Sequence, residues 1–231
     1  MTTLYVVGTP IGNLGDITLR AVEVSKSVDI IACEDTRVTG KLLHHLHISK
    51  PMISVNARTE RKKVSELVRM LKNGRNVAYV SDAGSPAISD PGSLLVSRVR
   101  AECGDEVGIA AIPGASAVTS ALSISGLPVS DFLFLGFLPH KNGTETLMKE
   151  IAVSARTVVF YESPHRVLRM LTRLGLHLGD TRYIVICREL TKMFEQCIGG
   201  NYVEVIEYFT AHPDKLRGEF VVIVSGSTFH F

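Results

Sequence analysis

The segment VSDAGSPAISDPG (80–92) holds two glycines, two prolines and two aspartates in thirteen residues. A plain turn needs about four. Gly84 permits close approach of backbone to a ligand, and Pro86 and Pro91 stiffen the path. Ser89 or Asp90 reads as the N-cap of a following helix with Pro91 near its first position, so the end of the segment has a local explanation. Asp82–Pro86, DAGSP, has none of that kind and reads as a loop shaped around a ligand. Two further loops share its character. VVGTPIGNLGD (6–16) leaves an apolar run and opens a helix, and IPGASA (112–117) opens a helix rich in Ala and Ser, where small side chains leave room for a flat group against the backbone. All three leave the ends of strands that read as parallel, which is where open α/β sheets bind ligands.

The chemistry of these loops is constrained by what they lack. The glycines of the first stand at 8, 12 and 15, which is not G-x-G-x-x-G, and Pro10 occupies the turn. Glu34 and Asp35 nevertheless follow about 20 residues on, where a dinucleotide site places its ribose-binding acid, so a nicotinamide enzyme is retained as a minority reading. No G-x-x-x-x-G-K-[ST] occurs, which excludes a P-loop. The plain alternative is that Gly12, Asn13 and Gly15 only make a tight strand-to-helix turn.

The elements that must carry these loops alternate. Apolar runs at 3–7, 29–33, 52–55, 76–80 and 108–112 are separated by helical patterns at 16–27, 36–46, 60–72 and from about Pro91. Val64, Leu67, Val68 and Leu71 repeat at i, i+3, i+4, i+7, one helical face. Such alternation predicts a mostly parallel sheet covered on both sides. Beyond it, runs at 132–137, 157–161, 183–187 and 220–224 read as strands, EQCIGGNY (195–202) as a further candidate, and 144–154, 164–174 and 203–210 as helices. This half is expected to form a mixed sheet of its own. The fold class is therefore α/β with two α/β domains, 1–113 and 114–231.

Composition narrows the function classes. Of 231 residues 45% are apolar and 21% charged, which argues against disorder, and a net charge of +2 means that any polyanion must be met by a local patch. No run approaches the roughly 18 apolar residues of a membrane span, and MTTLYVVGTPIG has no signal-peptide pattern, so a cytoplasmic protein without membrane contact is expected. Cys33, Cys103, Cys187 and Cys197 form no CxxC and read as reduced thiols. HHLH (44–47) closes a helix, where His suits the dipole, and no metal is expected.

The blocks TPIGNLGDITLRA, EDTRVTGKLL, VSDAGSPAISDPG, IPGASA, FLFLGFLP, FYESPHR, RELTK and GEFVVIV follow in that order over nearly all of residues 3–224. In this the chain resembles the ribosomal RNA small-subunit cytidine 2′-O-methyltransferases, a branch of the tetrapyrrole methylase superfamily. The resemblance implies two α/β domains with S-adenosylmethionine in the cleft between them, commonly in a homodimer. It also implies methylation of a cytidine ribose in small-subunit ribosomal RNA, free or in the assembled subunit. By the same resemblance the cofactor lies at Pro10 and along Ala83, Gly84, Ser85 and Ile88, where the superfamily's G-D-P reads Gly84-Ser85-Pro86. Ser116 and Ala117 are expected beside it, and Glu162 and Leu190 on its adenosine side. The pattern departs at Asn56 and Arg58, which stand at usual histidine positions, and at His140, where Arg is common. Many members also carry a helical tail after GEF, where this sequence reads on only to Phe231.

The chemistry so implied needs no metal, because a sulfonium already carries a good leaving group. The site must align the ribose oxygen with the transferred carbon and exclude water, and it can accept the hydroxyl proton. Glu34, Asp82 and Glu162 stand at strand ends and are the candidate acceptors; a helix cap or an ion pair is the ordinary alternative for each, and catalysis by positioning alone is the other route. Residues 58–75 hold seven Lys/Arg against two Glu. Given the resemblance, Arg37, Lys41, Arg61, Lys141, His165 and Arg166 are the expected phosphate contacts. Two competing functions stay open: methylation of a small tetrapyrrole on the same fold, against which EDTR, FYESPHR and RELTK count, and a non-catalytic RNA- or ribosome-binding relative.

Overall fold

The computed structural model describes residues 1–56, 58–140, 143–179 and 182–229. The chain divides into two units, Met1–Ser116 and Ala117–Phe231.

The first unit is built from β1 (Thr2–Val7), α1 (Leu19–Ser27), β2 (Ile30–Cys33), α2 (Thr36–His45), β3 (Met52–Ser54), α3 (Glu60–Lys72), β4 (Val77–Val80), α4 (Ser93–Cys103) and β5 (Val107–Ile112). All five strands are parallel, in the order β3-β2-β4-β1-β5. Every residue of β2 and β4 is buried, as expected of strands covered on both faces. Leu4, Ile30, Ala32, Val77 and Tyr79 pack against the stripe Val64, Leu67, Val68 and Leu71 of α3 and against Leu95 and Val99 of α4. Their neighbours Val7, Ile31, Cys33, Ala78 and Val80 point the other way, onto Ala21 and Val24 of α1 and Leu43 of α2. This period of two is the pleat itself.

The winding decides where a ligand can sit. From β1 the chain crosses β4 by way of α1 on one face, and from β4 it crosses β1 by way of α4 on the other. Connections from the adjacent strands β1 and β4 thus leave to opposite faces, which makes their carboxyl ends the topological switch point of the sheet, where open α/β sheets bind ligands.

Helix starts differ from the sequence pattern where capping overrides it. Asn13 caps a short 3-10 turn, Leu14–Asp16, and Thr18 then caps α1 by accepting from the Ala21 N–H, so the helix begins three residues after Asp16. Neither Ser89 nor Asp90 caps α4: Gly92 does, at φ 129°, and its N–H donates to Glu60 Oε1 at 3.2 Å. A side chain at 92 is barred, because a Cβ there would stand 2.4 Å from the Tyr79 ring.

The second unit comprises α5 (Ala117–Ile124), β6 (Phe132–Phe137), α6 (Thr144–Val153), β7 (Thr157–Glu162), α7 (Val167–Leu178), β8 (Tyr183–Arg188), β9 (Gln196–Asn201), α8 (Tyr202–Ala211) and β10 (Phe220–Val224). Its sheet runs β6-β7-β10-β8-β9, with β6 and β7 parallel and the other pairs antiparallel, a mixed sheet. EQCIGGNY supplies edge strand β9, and Asn201 and Glu204 form a capping box that starts α8. Phe160, Ile184, Phe220 and Val222 meet Ile151, Leu171 and Phe209 from α6, α7 and α8 in one core.

The division after Ser116 lies beyond Pro113 because the loop following β5 stays on the first sheet. Gly8 N–H donates to Ile112 O at 2.9 Å, and a Cβ on either Gly8 or Gly114 would lie 2.8 Å from the other's backbone. Two peptide segments in contact at this distance cannot yield as a side chain would. Gly114→Ala is expected to destabilise the protein by about 1–3 kcal/mol. Gly40→Ala, in the middle of α2, would meet only Met52 Cε at 3.7 Å and is expected to stabilise by about 0.5–1 kcal/mol. Urea midpoints with unchanged slopes check both signs.

Candidate active site

At the switch point the loops after β1, β4 and β5 are tied to one another. Thr9 N–H donates to Gly84 O at 2.9 Å and Gly84 N–H to Thr9 O at 3.1 Å, a single antiparallel bridge between two loops. The buried Thr9 hydroxyl lies 3.2 Å from Ser81 O and 3.3 Å from Gly84 O, and the Ser81 hydroxyl 3.0 Å from Gly84 O. Gly84 sits at φ 76°, and a Cβ there would reach 3.4 Å from Ile11 and 3.6 Å from Ala115 O. Of the residues expected to line the cofactor, Pro10 and Gly84 are buried in this knot, Ser85, Ser116 and Ala117 are half-buried, and Ala83 and Ile88 are exposed. Gly8, Thr9, Ser81 and Gly114 were not anticipated as site residues. Their only signal is position, one or two residues past a strand end.

The loop after β4 is held under strain. Ala87 and Ser89 adopt φ of 68° and 62° beside Gly84 and Gly92. Left-handed backbone costs a non-glycine residue roughly 1–2 kcal/mol, and such outliers cluster at ligand-binding segments. Ala87 N–H donates to Pro91 O at 3.2 Å, closing the loop on itself.

Carboxylates gather at the carboxyl ends of β2 and β4. Asp82 Oδ1 accepts from the Asp35 N–H at 3.0 Å, while Asp35 caps α2 and chelates the Arg37 guanidinium. Those bonds to Arg37 hold the Asp35 carboxyl down at about 2. Glu34 and Asp90 move the other way. Burial raises both, and repulsion adds to it, from Asp82, Asp90 and Asp35 for Glu34 and from Asp82 for Asp90. Among the described residues, the Glu34 carboxyl takes part in no hydrogen bond or ion pair.

In the second unit Glu162, at the end of β7, is fully buried and 3.2 Å from Arg166 Nη2, and its Oε1 accepts from Ser163 N–H at 2.7 Å. Arg166 also donates to Leu138 O and contacts the His140 ring. Its guanidinium is thus engaged in holding the turn before α7, which starts at Val167 and not at Pro164. His165 is exposed in that turn. Leu190 is buried in the β8–β9 connection between Glu189 and Thr191, which have φ of 51° and 65°. Buried Arg188 fixes this connection by donating to Phe194 O and Arg217 O. Lys41 and Arg61 are exposed on α2 and α3, Arg37 is exposed but bound to Asp35, and Lys141 lies outside the described residues.

The geometry fits a compact organic ligand held by backbone groups, with negative charge at one border; among the described residues no three His, Cys, Asp or Glu gather around a metal position. The raised carboxyls make a testable contribution to stability. A carboxyl whose folded value is raised favours the fold below its unfolded value and opposes it once pH rises through the folded one. Glu34→Gln and Asp90→Asn should therefore match the parent below the ordinary values of 4.5 and 3.8. They should become more stable than it as pH rises toward neutrality, as read by thermal unfolding across pH.

Comparison with known proteins gives the family. The family model for Tetrapyrrole (Corrin/Porphyrin) Methylases matches residues 3–205. A Synechocystis protein named Ribosomal RNA small subunit methyltransferase I is 47% identical over 230 residues, covering 99% of this chain and 80% of the relative. A Thermotoga maritima protein of the same name is 45% identical over 226 residues, covering 98% and 99%. Among solved structures, the methyltransferase CobJ aligns with TM-score 0.70 at 21% identity over 98% of this chain and 95% of its own. The cobalt precorrin-4 methyltransferase CbiF aligns with TM-score 0.69 at 14% over 96% and 94%; at such identities the likeness concerns the fold alone. The chain belongs to the tetrapyrrole methylase family, within its ribosomal RNA small subunit methyltransferase I branch.

Proposed function

We propose that the protein uses S-adenosylmethionine to methylate the 2′-oxygen of a cytidine ribose in small-subunit ribosomal RNA. The observation that carries this reading is identity of 45–47% over nearly the whole chain to relatives named for small-subunit RNA methylation. The cobalt precorrin-4 methyltransferase CbiF, at 14% identity, shares the fold alone. The ribose position and the cytidine rest on the eight sequence blocks. A homodimer, a cytoplasmic setting and the small ribosomal subunit as partner are proposed on the same basis.

S-adenosylmethionine supplies a methyl group on a sulfonium whose departure needs no acid. The chain's part is to bind, orient and take a proton. Pro10, Ala83, Gly84, Ser85, Ile88, Ser116 and Ala117 are proposed as cofactor contacts, since peptide groups and small side chains dominate where the three loops meet. Carboxylates at that border favour a cationic ligand. Glu162 and Leu190 are proposed as further contacts from the second unit on the resemblance alone.

Of the three carboxylates considered as proton acceptor, Glu34 is preferred. Asp82 is engaged by the Asp35 N–H and Glu162 by Arg166, whereas Glu34 has a raised affinity for protons and no partner among the described residues. Its carboxylate would hold the hydroxyl proton as the oxygen is alkylated. Lys41, Arg61, His165 and Lys141 are proposed to meet RNA phosphates, with Arg37 joining them where it can leave Asp35. Arg166 is assigned to hold the turn through Glu162 and thereby to present His165.

The decisive assay supplies methyl-labelled cofactor with small subunits from cells that lack this gene, alongside free RNA and a tetrapyrrole precursor. The expected label lies on one cytidine and makes the adjoining phosphodiester resistant to alkali, which methylation of a base does not do. Label on the tetrapyrrole alone would overturn the reading. Glu34→Gln should lower kcat by roughly 10²–10⁴-fold with cofactor affinity retained by calorimetry. An unchanged kcat would remove Glu34 from the proton's path.

A further inference from the structure

Antiparallel strands β8 and β9 set Cys187 directly opposite Cys197. Their Sγ atoms are 3.0 Å apart, about 1 Å longer than a disulfide bond. The two thiols differ in access. Cys197 is exposed on the edge strand, while Cys187 is fully buried, with its sulfur 4.0 Å from Ala121 O. A hydrogen bond from the Cys187 thiol holds Cys197 below the ordinary thiol range, and the same bond, together with burial, pushes Cys187 up. An outer sulfur that meets solution and a buried one beside it have the roles of attacking and resolving thiol. The remaining cysteines, Cys33 and Cys103, are buried in the first unit.

We propose that Cys187 and Cys197 form a redox-active dithiol, in which a hydroperoxide oxidises Cys197 and the pair then closes to a cross-strand disulfide. In the first step the Cys197 thiolate attacks the peroxide. An S–O bond forms, the O–O bond breaks, and the departing oxygen takes a proton from water to leave as an alcohol or water. In the second step the Cys187 sulfur attacks the sulfenic sulfur. The S–S bond forms, the S–O bond breaks, and the proton of Cys187 leaves with the hydroxide as water. Two electrons have passed from the thiols to the peroxide.

Facing residues on paired strands have Cβ atoms about 4.5–5.5 Å apart, and a disulfide needs about 3.5–4.5 Å. Closure therefore draws the strands together. Edge strand β9 is paired on one side only and can follow. A bond closed against that resistance is readily returned by thiols. It would clamp the hairpin that carries Glu189, Leu190 and Thr191.

The test treats purified protein with hydrogen peroxide and maps its peptides without reduction. A linked Cys187–Cys197 peptide is expected, with the loss of two hydrogens and full reversal by dithiothreitol. Cys197→Ser, a substitution at an exposed position, should abolish the reaction while Cys33 and Cys103 stay reduced. Cys187→Ser should stop at a sulfenic acid on Cys197 that dimedone captures. Sulfinic acid on Cys197 of the unaltered protein with Cys187 still a free thiol would overturn the proposal, as would Cys197 bridges between separate molecules.

Discussion

The arrangement of the first unit depends on the mutual bridge between Thr9 and Gly84, backed by the backbone contact of Gly8 with Gly114. Three strands end together at the switch point, and each must send out a loop whose peptide groups need partners. Pairing one loop with another satisfies those groups while bringing their backbones to a single place. Side chains cannot intrude between Gly8 and Gly114, and at 84 the left-handed φ of 76° is what calls for glycine. The strained φ of Ala87 and Ser89 is tolerated for the same reason, because both ends of their loop are fixed by contacts stronger than the local preference.

Electrostatics follow from that convergence. The ends of β2 and β4 are neighbours in the sheet, so the acids that follow them, Glu34, Asp35, Asp82 and Asp90, become neighbours too. Asp35 keeps its charge in a helix cap and a pair with Arg37, while burial and then like charges bear on Glu34 and Asp90. A carboxylate that costs the fold stability and meets no partner is the kind of group that function retains.

The second unit solves a different problem with inward-turned cations, one half-buried and one buried. Arg166 and Arg188 each take carbonyl groups of irregular segments as partners. In doing so they fix the turn that presents His165 and the β8–β9 connection that carries Leu190. The close sulfur pair belongs to the same hairpin, and its spacing follows from strand register, not from any nearness in sequence.

Strand and helix alternation, the α3 stripe and the three special loops were legible in the sequence because each is a local pattern: a period of two, a period of 3.6, or glycine and proline where ordinary backbone would not turn. The mixed character of the second sheet and the family were legible as well, the latter from eight ordered blocks. What only the tertiary structure decided involves residues distant in the chain. Strand order makes Thr9 and Gly84 partners; packing of the loop after β5 carries the unit boundary past Pro113; Tyr79 excludes any Cβ at position 92 and so makes Gly92, not Asp90, the cap of α4. Ion pairing sorts the charged candidates, engaging Arg166 and Glu162 with each other and, among the described residues, leaving Glu34 without a partner. Sequence specifies which groups exist and their local geometry, but whether a charge is paired, buried or opposed depends on which elements the fold brings beside it.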